Sequence, residues 1–234
     1  MSLPYFYAPQ PADGVLTGAE AKHAHVKRIS PGDRIMLVDG TGHTAEVTVS
    51  ECTRERVAGD VIAERTVEPP QPQVVLVQAV PKSERAELAV DLAVQGGVDA
   101  IIPWISHRTI ARWSADKQDK QVQKWRNQAI ASAKQSRRAI WPTVHDPVTT
   151  NQLAERLRDA RAIVLHEDAT TPITDVDFSG VETLYVLVGP EGGIGQDELD
   201  LLGAQPVRLG PQVLRTASAG FAALCAIGAL TSRW

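Results

Sequence analysis

The chain has 234 residues, 43% hydrophobic and 22% charged. This is ordinary globular usage, which excludes a disordered or collagen-like chain and allows one large domain or two unequal ones. A net charge of −4 excludes nucleic-acid binding by bulk positive charge and leaves only a local basic face for it.

Residues 1 to about 67 are expected to be all-β. Arg34 to Val38 is a short apolar run closed by the turn signals Asp39-Gly40 and Thr41-Gly42. Thr44 to Val49 alternates at period two, Arg56 to Ala63 makes a further strand, and strands so closely spaced predict a small barrel. Cys52 and Cys225 are far apart, with no zinc spacing, and read as free thiols of a reducing compartment. Val67-Glu-Pro-Pro-Gln-Pro72 is a stiff, extended linker. It divides the chain into domains at 1–70 and 73–234.

Beyond the linker the rhythm changes. Val74 to Val80 predicts a strand buried on both faces. Glu84 to Gln95 has helical spacing and stops at Gly96-Gly97, and Ala100 to Ile105 predicts the next strand. Asp116 to Arg138 predicts a long helix, and Asn151 is a candidate cap for a helix running to about Arg158. Strands at Ala162–Leu165 and Leu184–Val188 follow, then a last helix at Thr216–Leu230. Strand and helix in alternation predict a mostly parallel sheet covered on both faces. Residues 71–145 carry 11 Lys and Arg against 6 Asp and Glu, between acidic flanks. That is a candidate cationic face, or equally a solvated helix surface. The uncharged run 216–232 falls short of the ~20 residues of a membrane span. With no signal-peptide profile, the expectation is a cytoplasmic protein without membrane or metal.

Gly189-Pro-Glu-Gly-Gly-Ile-Gly195 follows a strand and precedes a helix. It has neither the Gly-x-Gly-x-x-Gly spacing of a dinucleotide site nor the Gly-Lys-Ser/Thr of a P-loop, and Glu191 would repel a pyrophosphate. A Gly-rich turn holding a carboxylate suits a ligand without phosphates or with positive charge, although a plain strand-to-helix connection also explains the glycines. Leu209-Gly-Pro-Gln-Val-Leu-Arg-Thr216 is a second Gly/Pro turn entering the final helix.

This pair of segments resembles the C-terminal signature of the SPOUT methyltransferases, and within them the ribosomal RNA small subunit methyltransferase E family. His23 to Gly40, with Arg28, resembles the family's PUA-like barrel. Lys82-Ser-Glu-Arg85 resembles the start of its catalytic domain. Lys124-Trp-Arg126 through Arg138 and Pro142 resembles the helix before the cofactor half, and Leu165-His-Glu167 resembles a cofactor loop. The resemblance implies an α/β chain with an N-terminal PUA-like β-barrel and a C-terminal trefoil-knot domain on a mostly parallel sheet. It implies a homodimer that uses S-adenosylmethionine to methylate N3 of uracil 1498 of 16S rRNA in the 30S subunit. The implied cofactor residues are Leu165, His166, Glu167, Gly189, Pro190, Gly192, Gly193, Leu209, Gly210, Val213, Leu214, Arg215 and Thr216. Arg28, Lys82, Arg85, Arg108, Lys134 and Arg137 are the RNA-binding candidates. The chain departs from the family at Gln95-Gly96-Gly97, where Glu-Leu-Gly is frequent. It departs again at Ala217-Ser218, where Glu-Thr is common.

Uridine N3 carries a proton, so the chemistry needs an acceptor for it or positive charge for the resulting anion. Glu191 is the candidate base, the alternative being that it only shapes its loop. Arg138 is the candidate for steadying the anion or a nearby phosphate, the alternative being a helix C-terminal cation. His23 and His25, two apart in a β-like region, lack a third ligand and read as surface or barrel residues. Trp104, Trp113, Trp125 and Trp141 flank the basic segment and are candidates for base stacking, with Trp125 better placed in a core. Two rival readings remain: a SPOUT enzyme acting on a ribose 2′-hydroxyl, and a non-catalytic RNA-binding module.

Overall fold

The computed structural model describes residues 3–110, 113 and 115–234. The chain divides into two compact units, residues 3–69 with 133–141, and residues 70–132 with 142–234. Residues 133–141 thus belong to the first unit although they follow the prolines in sequence.

The first unit contains β1 (Tyr5–Tyr7), β2 (Val15–Thr17), α1 (Gly18–Val26), β3 (Arg34–Val38), β4 (His43–Cys52) and β5 (Arg56–Thr66). The five strands form one curled sheet in the order β1-β3-β4-β5-β2, antiparallel except for β1 beside β3. Register shifts at Glu46/Val47 and Val49/Glu51 bend the long β4–β5 pair, as bulges do. Phe6, Leu16, Ile35, Leu37, Val47 and Val57 fill the concave side. The all-β expectation fails at α1. Ala21 and Ala24, fully buried at helical spacing, hold this helix on the sheet, and the alternation of His23 and His25 around Ala24 imitated a strand. Both histidines are exposed on α1, with His23 edge-on to Phe6.

The second unit begins with β6 (Gln73–Ala79), α2 (Ser83–Gln95), β7 (Ala100–Ile105) and α3 (Ala115–Gln135), whose last turn enters the first unit. It continues with β8 (Thr143–Val144), β9 (Val148–Thr149), α4 (Thr150–Leu157), β10 (Arg161–Leu165) and β11 (Thr183–Val188). It closes with α5 (Gln196–Leu202), β12 (Gln205–Val207) and α6 (Thr216–Leu230). The sheet is parallel throughout, in the order β12-β10-β11-β6-β7-β8, with β9 also pairing to β7. Val75, Val77, Ile102, Trp104, Val164 and Leu187 face α4 and α5 through Leu153, Leu157 and Leu202. Alternation turns Leu76 to the opposite face, where α6 crosses so closely that a Cβ on Gly220 would lie 2.9 Å from the Leu76 side chain. Buried Arg233 ties the chain end to Asp99 at 2.8 Å and to the carbonyls of Pro72 and Gly97.

The cap of α4 is Thr149, not Asn151. Its hydroxyl accepts from the Gln152 amide while the Gln152 side chain reaches back to the Thr149 amide at 2.9 Å. This capping box satisfies two orphan donors at once, which an asparagine two residues further on cannot do.

Candidate active site

The parallel register sets the site. Leu165 pairs with Val188 on one side and with Val207 on the other, so β10, β11 and β12 end side by side. The loops that follow them therefore emerge at one level, at the carboxyl edge where open α/β sheets bind ligands. They surround a cavity of about 370 Å³, within the usual range of small-molecule sites.

Twelve of the thirteen cofactor residues expected from the sequence line this cavity: Leu165, His166, Glu167, Gly189, Pro190, Gly193, Leu209, Gly210, Val213, Leu214, Arg215 and Thr216. Gly192 is the exception. It faces outward, where a Cβ would lie 3.3 Å from both the Cβ and the carbonyl oxygen of Arg108. Residues 190–193 form a tight turn, with the Gly193 amide on the Pro190 carbonyl at 3.0 Å and Gly193 at φ +71°. Glu191 stands at the tip, exposed and lining the cavity, with its Oε1 accepting from the Lys82 backbone amide at 3.4 Å.

Several lining residues were not anticipated. Arg85, a candidate RNA contact, lines the cavity, as do Val188, Ile194, Val207, Arg208, Gln212 and Ala219. Buried Gln78 donates to the carbonyl of Ala79 at 3.0 Å and to that of Thr216, where the third loop enters α6, at 3.4 Å. Its one sequence signal was a glutamine inside an otherwise apolar strand. Ala217 is buried and does not line the cavity, and the Ser218 hydroxyl donates to the Arg215 carbonyl at 3.2 Å.

The remaining candidates are scattered. Arg138 belongs to the first unit and does not line the cavity. Lys134 is engaged inside that unit, 2.5 Å from Glu20 and over the rings of Tyr7 and Trp141. Arg108 is exposed, with its Nη1 donating to the Gly192 carbonyl at 3.4 Å. The side chains of Ser83 and Glu84, in the Lys-Ser-Glu-Arg motif, lie outside the described residues. Trp104 and Trp125 are core residues and unavailable for stacking, Trp113 packs edge-on to Trp125, and Trp141 packs on Tyr7. Cys52 and Cys225 are free, and burial pushes both thiols up, away from nucleophilic character.

Arg28 and Arg137 share an unusual backbone. Each is left-handed, at φ +60° and +56°, and each follows a helix whose end is tied by Ile29 to Ala24 or by Arg138 to Ala133. Glycine is the unstrained residue at this position. Arg28→Gly is therefore expected to raise unfolding free energy by about 1 kcal/mol, measured as a shift in denaturant midpoint.

The wall fits S-adenosylmethionine. Glu167 and Glu191 offer negative charge to a sulfonium, and Arg85, Arg208 and Arg215 offer donors to a carboxylate. Leu165, Val188, Ile194 and Leu209 offer apolar surface to a flat base.

Fold and cavity together define an RNA methyltransferase. A family described as an RNA methyltransferase domain matches residues 67–228, and an RNA methyltransferase PUA domain matches residues 16–62. Ribosomal RNA small subunit methyltransferase E of Mycobacterium bovis is 44% identical over 232 residues, covering 95% of this chain and 88% of its own. The Bacillus subtilis protein of the same name is 28% identical, covering 91% and 88%. Among solved structures, the Neisseria gonorrhoeae enzyme bound to S-adenosyl methionine superposes with a TM-score of 0.85 at 26% identity, covering 98% of each chain. The chain belongs to the ribosomal RNA small subunit methyltransferase E family.

Proposed function

We propose that this enzyme transfers the methyl group of S-adenosylmethionine to N3 of uracil 1498 in 16S rRNA. The observation that carries this reading is Glu191, a carboxylate at the tip of a Gly-rich turn, on the wall of a cavity suited to the cofactor. The bound cofactor supplies a methyl group already made electrophilic by its sulfonium, so the protein's tasks are alignment and removal of the N3 proton. Glu191 accepts that proton, and Pro190, Gly192 and Gly193 hold its turn in place. The Lys82 amide that contacts Glu191 Oε1 orients the carboxylate. Arg138 steadies the uracil anion or an adjacent phosphate. N3 lies on the pairing edge, so the base must be unpaired or extruded before it can react.

The reading includes a cytoplasmic homodimer, a C-terminal trefoil knot and the 30S subunit as the particle recognised. The strand order of the parallel sheet and the crossing of α6 over β6 support the knotted topology. RNA contacts are assigned to Arg28, Lys82, Arg108 and Arg137. Arg28 and Arg137 occupy left-handed backbone positions where glycine would be unstrained, and backbone strain of this kind clusters at functional sites, which favours a role for the side chain.

The test is methyl transfer from labelled S-adenosylmethionine to small subunits lacking the modification, with the nucleoside identified by mass spectrometry. N3-methyluridine is the expected product. A 2′-O-methylated nucleoside would keep the enzyme and move its target to a ribose.

A further inference from the structure

Glu198, on α5, is completely buried and is not part of the cavity wall. Its Oε1 accepts from the His107 backbone amide at 2.9 Å and from the Thr150 hydroxyl at 2.5 Å. Its Oε2 is buried without a hydrogen-bond partner among the described residues. A carboxylate removed from water at this cost needs a reason to be there.

The geometry around it supplies one. Residues 106–109 form a closed turn: the Ser106 amide donates to Thr109 Oγ1 at 3.1 Å, the two hydroxyls lie 2.8 Å apart, and both side chains are buried. His107 sits inside this turn, and Arg108 projects from it onto Gly192. Thr150 begins α4 and also accepts from the Trp104 indole at 3.2 Å. Glu198 thus joins three segments distant in sequence: the end of β7, the start of α4, and the helix immediately after the Gly-rich loop. The loop leaves β11, passes under Arg108 at Gly192, and returns through α5 to the carboxylate that holds the turn of Arg108.

We propose that Glu198 is a positioning residue for methyl transfer. Its carboxylate holds the 106–109 turn so that Arg108 bears on Gly192, beside Glu191. It acts through hydrogen-bond acceptance, on the substrate side of the loop, and leaves cofactor binding untouched. The inference rests on the methyl-transfer reading above for its consequence, and on Arg108 as the group it places.

The test combines E198A, E198Q, R108A and the double variant R108A/E198A in the full chain. E198A is expected to lower kcat/KM for small-subunit RNA by roughly 10- to 100-fold, with the S-adenosylmethionine Kd unchanged by calorimetry. E198Q retains a carbonyl oxygen for His107 and Thr150 and is expected to recover most of that loss. The double variant should fall little below the worse single variant, because both act through one contact. Amide hydrogen exchange supplies a readout independent of activity. Exchange at His107 should accelerate about tenfold or more in E198A and little in E198Q, while β11 amides stay protected. Equal losses in E198Q and E198A, additive effects with R108A, a weakened cofactor Kd, or unchanged exchange at His107 would each overturn the proposal. Wild-type protein that transfers no methyl group would instead overturn the functional reading, and the exchange measurement would still decide whether Glu198 holds the turn.

Discussion

Glu191→Gln is expected to lower kcat for methyl transfer to small-subunit RNA by about 10²–10⁴-fold, the usual contribution of a positioned general base. The substitution keeps the size of the side chain and leaves a carbonyl oxygen to accept from the Lys82 amide, the contact seen for Oε1. The turn at 190–193 is closed by backbone, through Gly193 and Pro190, and has no need of the carboxylate. The cofactor Kd should therefore stay within about threefold, because one charge among an exposed group of both signs contributes little in water. The loss should also shrink as pH rises, since a uridine that sheds its N3 proton to solvent no longer needs Glu191. Single-turnover rates across pH check this, and full turnover by the variant at saturating cofactor would remove Glu191 from the role of base.

The cavity was legible in the sequence because its wall is built mostly from three continuous loops, each opened by a strand and marked by glycine or proline. Register then does the assembly: once β10, β11 and β12 run parallel and side by side, their loops must meet. Residues that reach the site through space left no comparable mark. Arg85 belongs to α2, a helix far from the loops in sequence, and looked like one more cation of a basic segment. Glu198 had the pattern of a first-turn acid favoured by the helix dipole, and nothing local distinguishes it from exposed Asp197 beside it. Lys134 stands in the same cationic run, yet its charge is opposed by Glu20 and its ammonium rests on two rings.

The long, strongly periodic elements were the most readable. Ala100–Ile105 and Thr216–Leu230 have the bounds that apolar runs and turn residues indicated, as does Arg34–Val38 in the first unit. The first unit was harder. Its strands β1 and β2 have three residues each, too few to show a period, and α1 buries only alanines, which carry little hydrophobic contrast. Residues 133–141 could not be assigned from a linear boundary. Their place depends on pairing of Gly40 and Thr41 with Ile140 and on the Trp141 ring lying against Gly40, contacts about a hundred residues apart in the chain.

Trp104→Ala should be the most damaging single truncation in the core of the second unit, at about 3–5 kcal/mol. Trp104 is fully buried on β7, packed within the cluster that includes Leu153 and Leu157 of α4. The strand pairs with β6 and β9 at this residue, so backbone on both sides resists collapse into the space an indole would leave. For a unit of this size the melting temperature should fall by roughly 6–20 °C by calorimetry. Trp104→Phe separates packing from hydrogen bonding: it keeps a ring in place and removes the indole N–H to Thr150, at an expected cost of about 1–2 kcal/mol. Thr150 also donates to Glu198, so the phenylalanine variant loosens the outer end of the chain of bonds that holds the 106–109 turn. A drop for alanine no larger than for phenylalanine would mean that the indole N–H, rather than the ring's burial, joins β7 to α4.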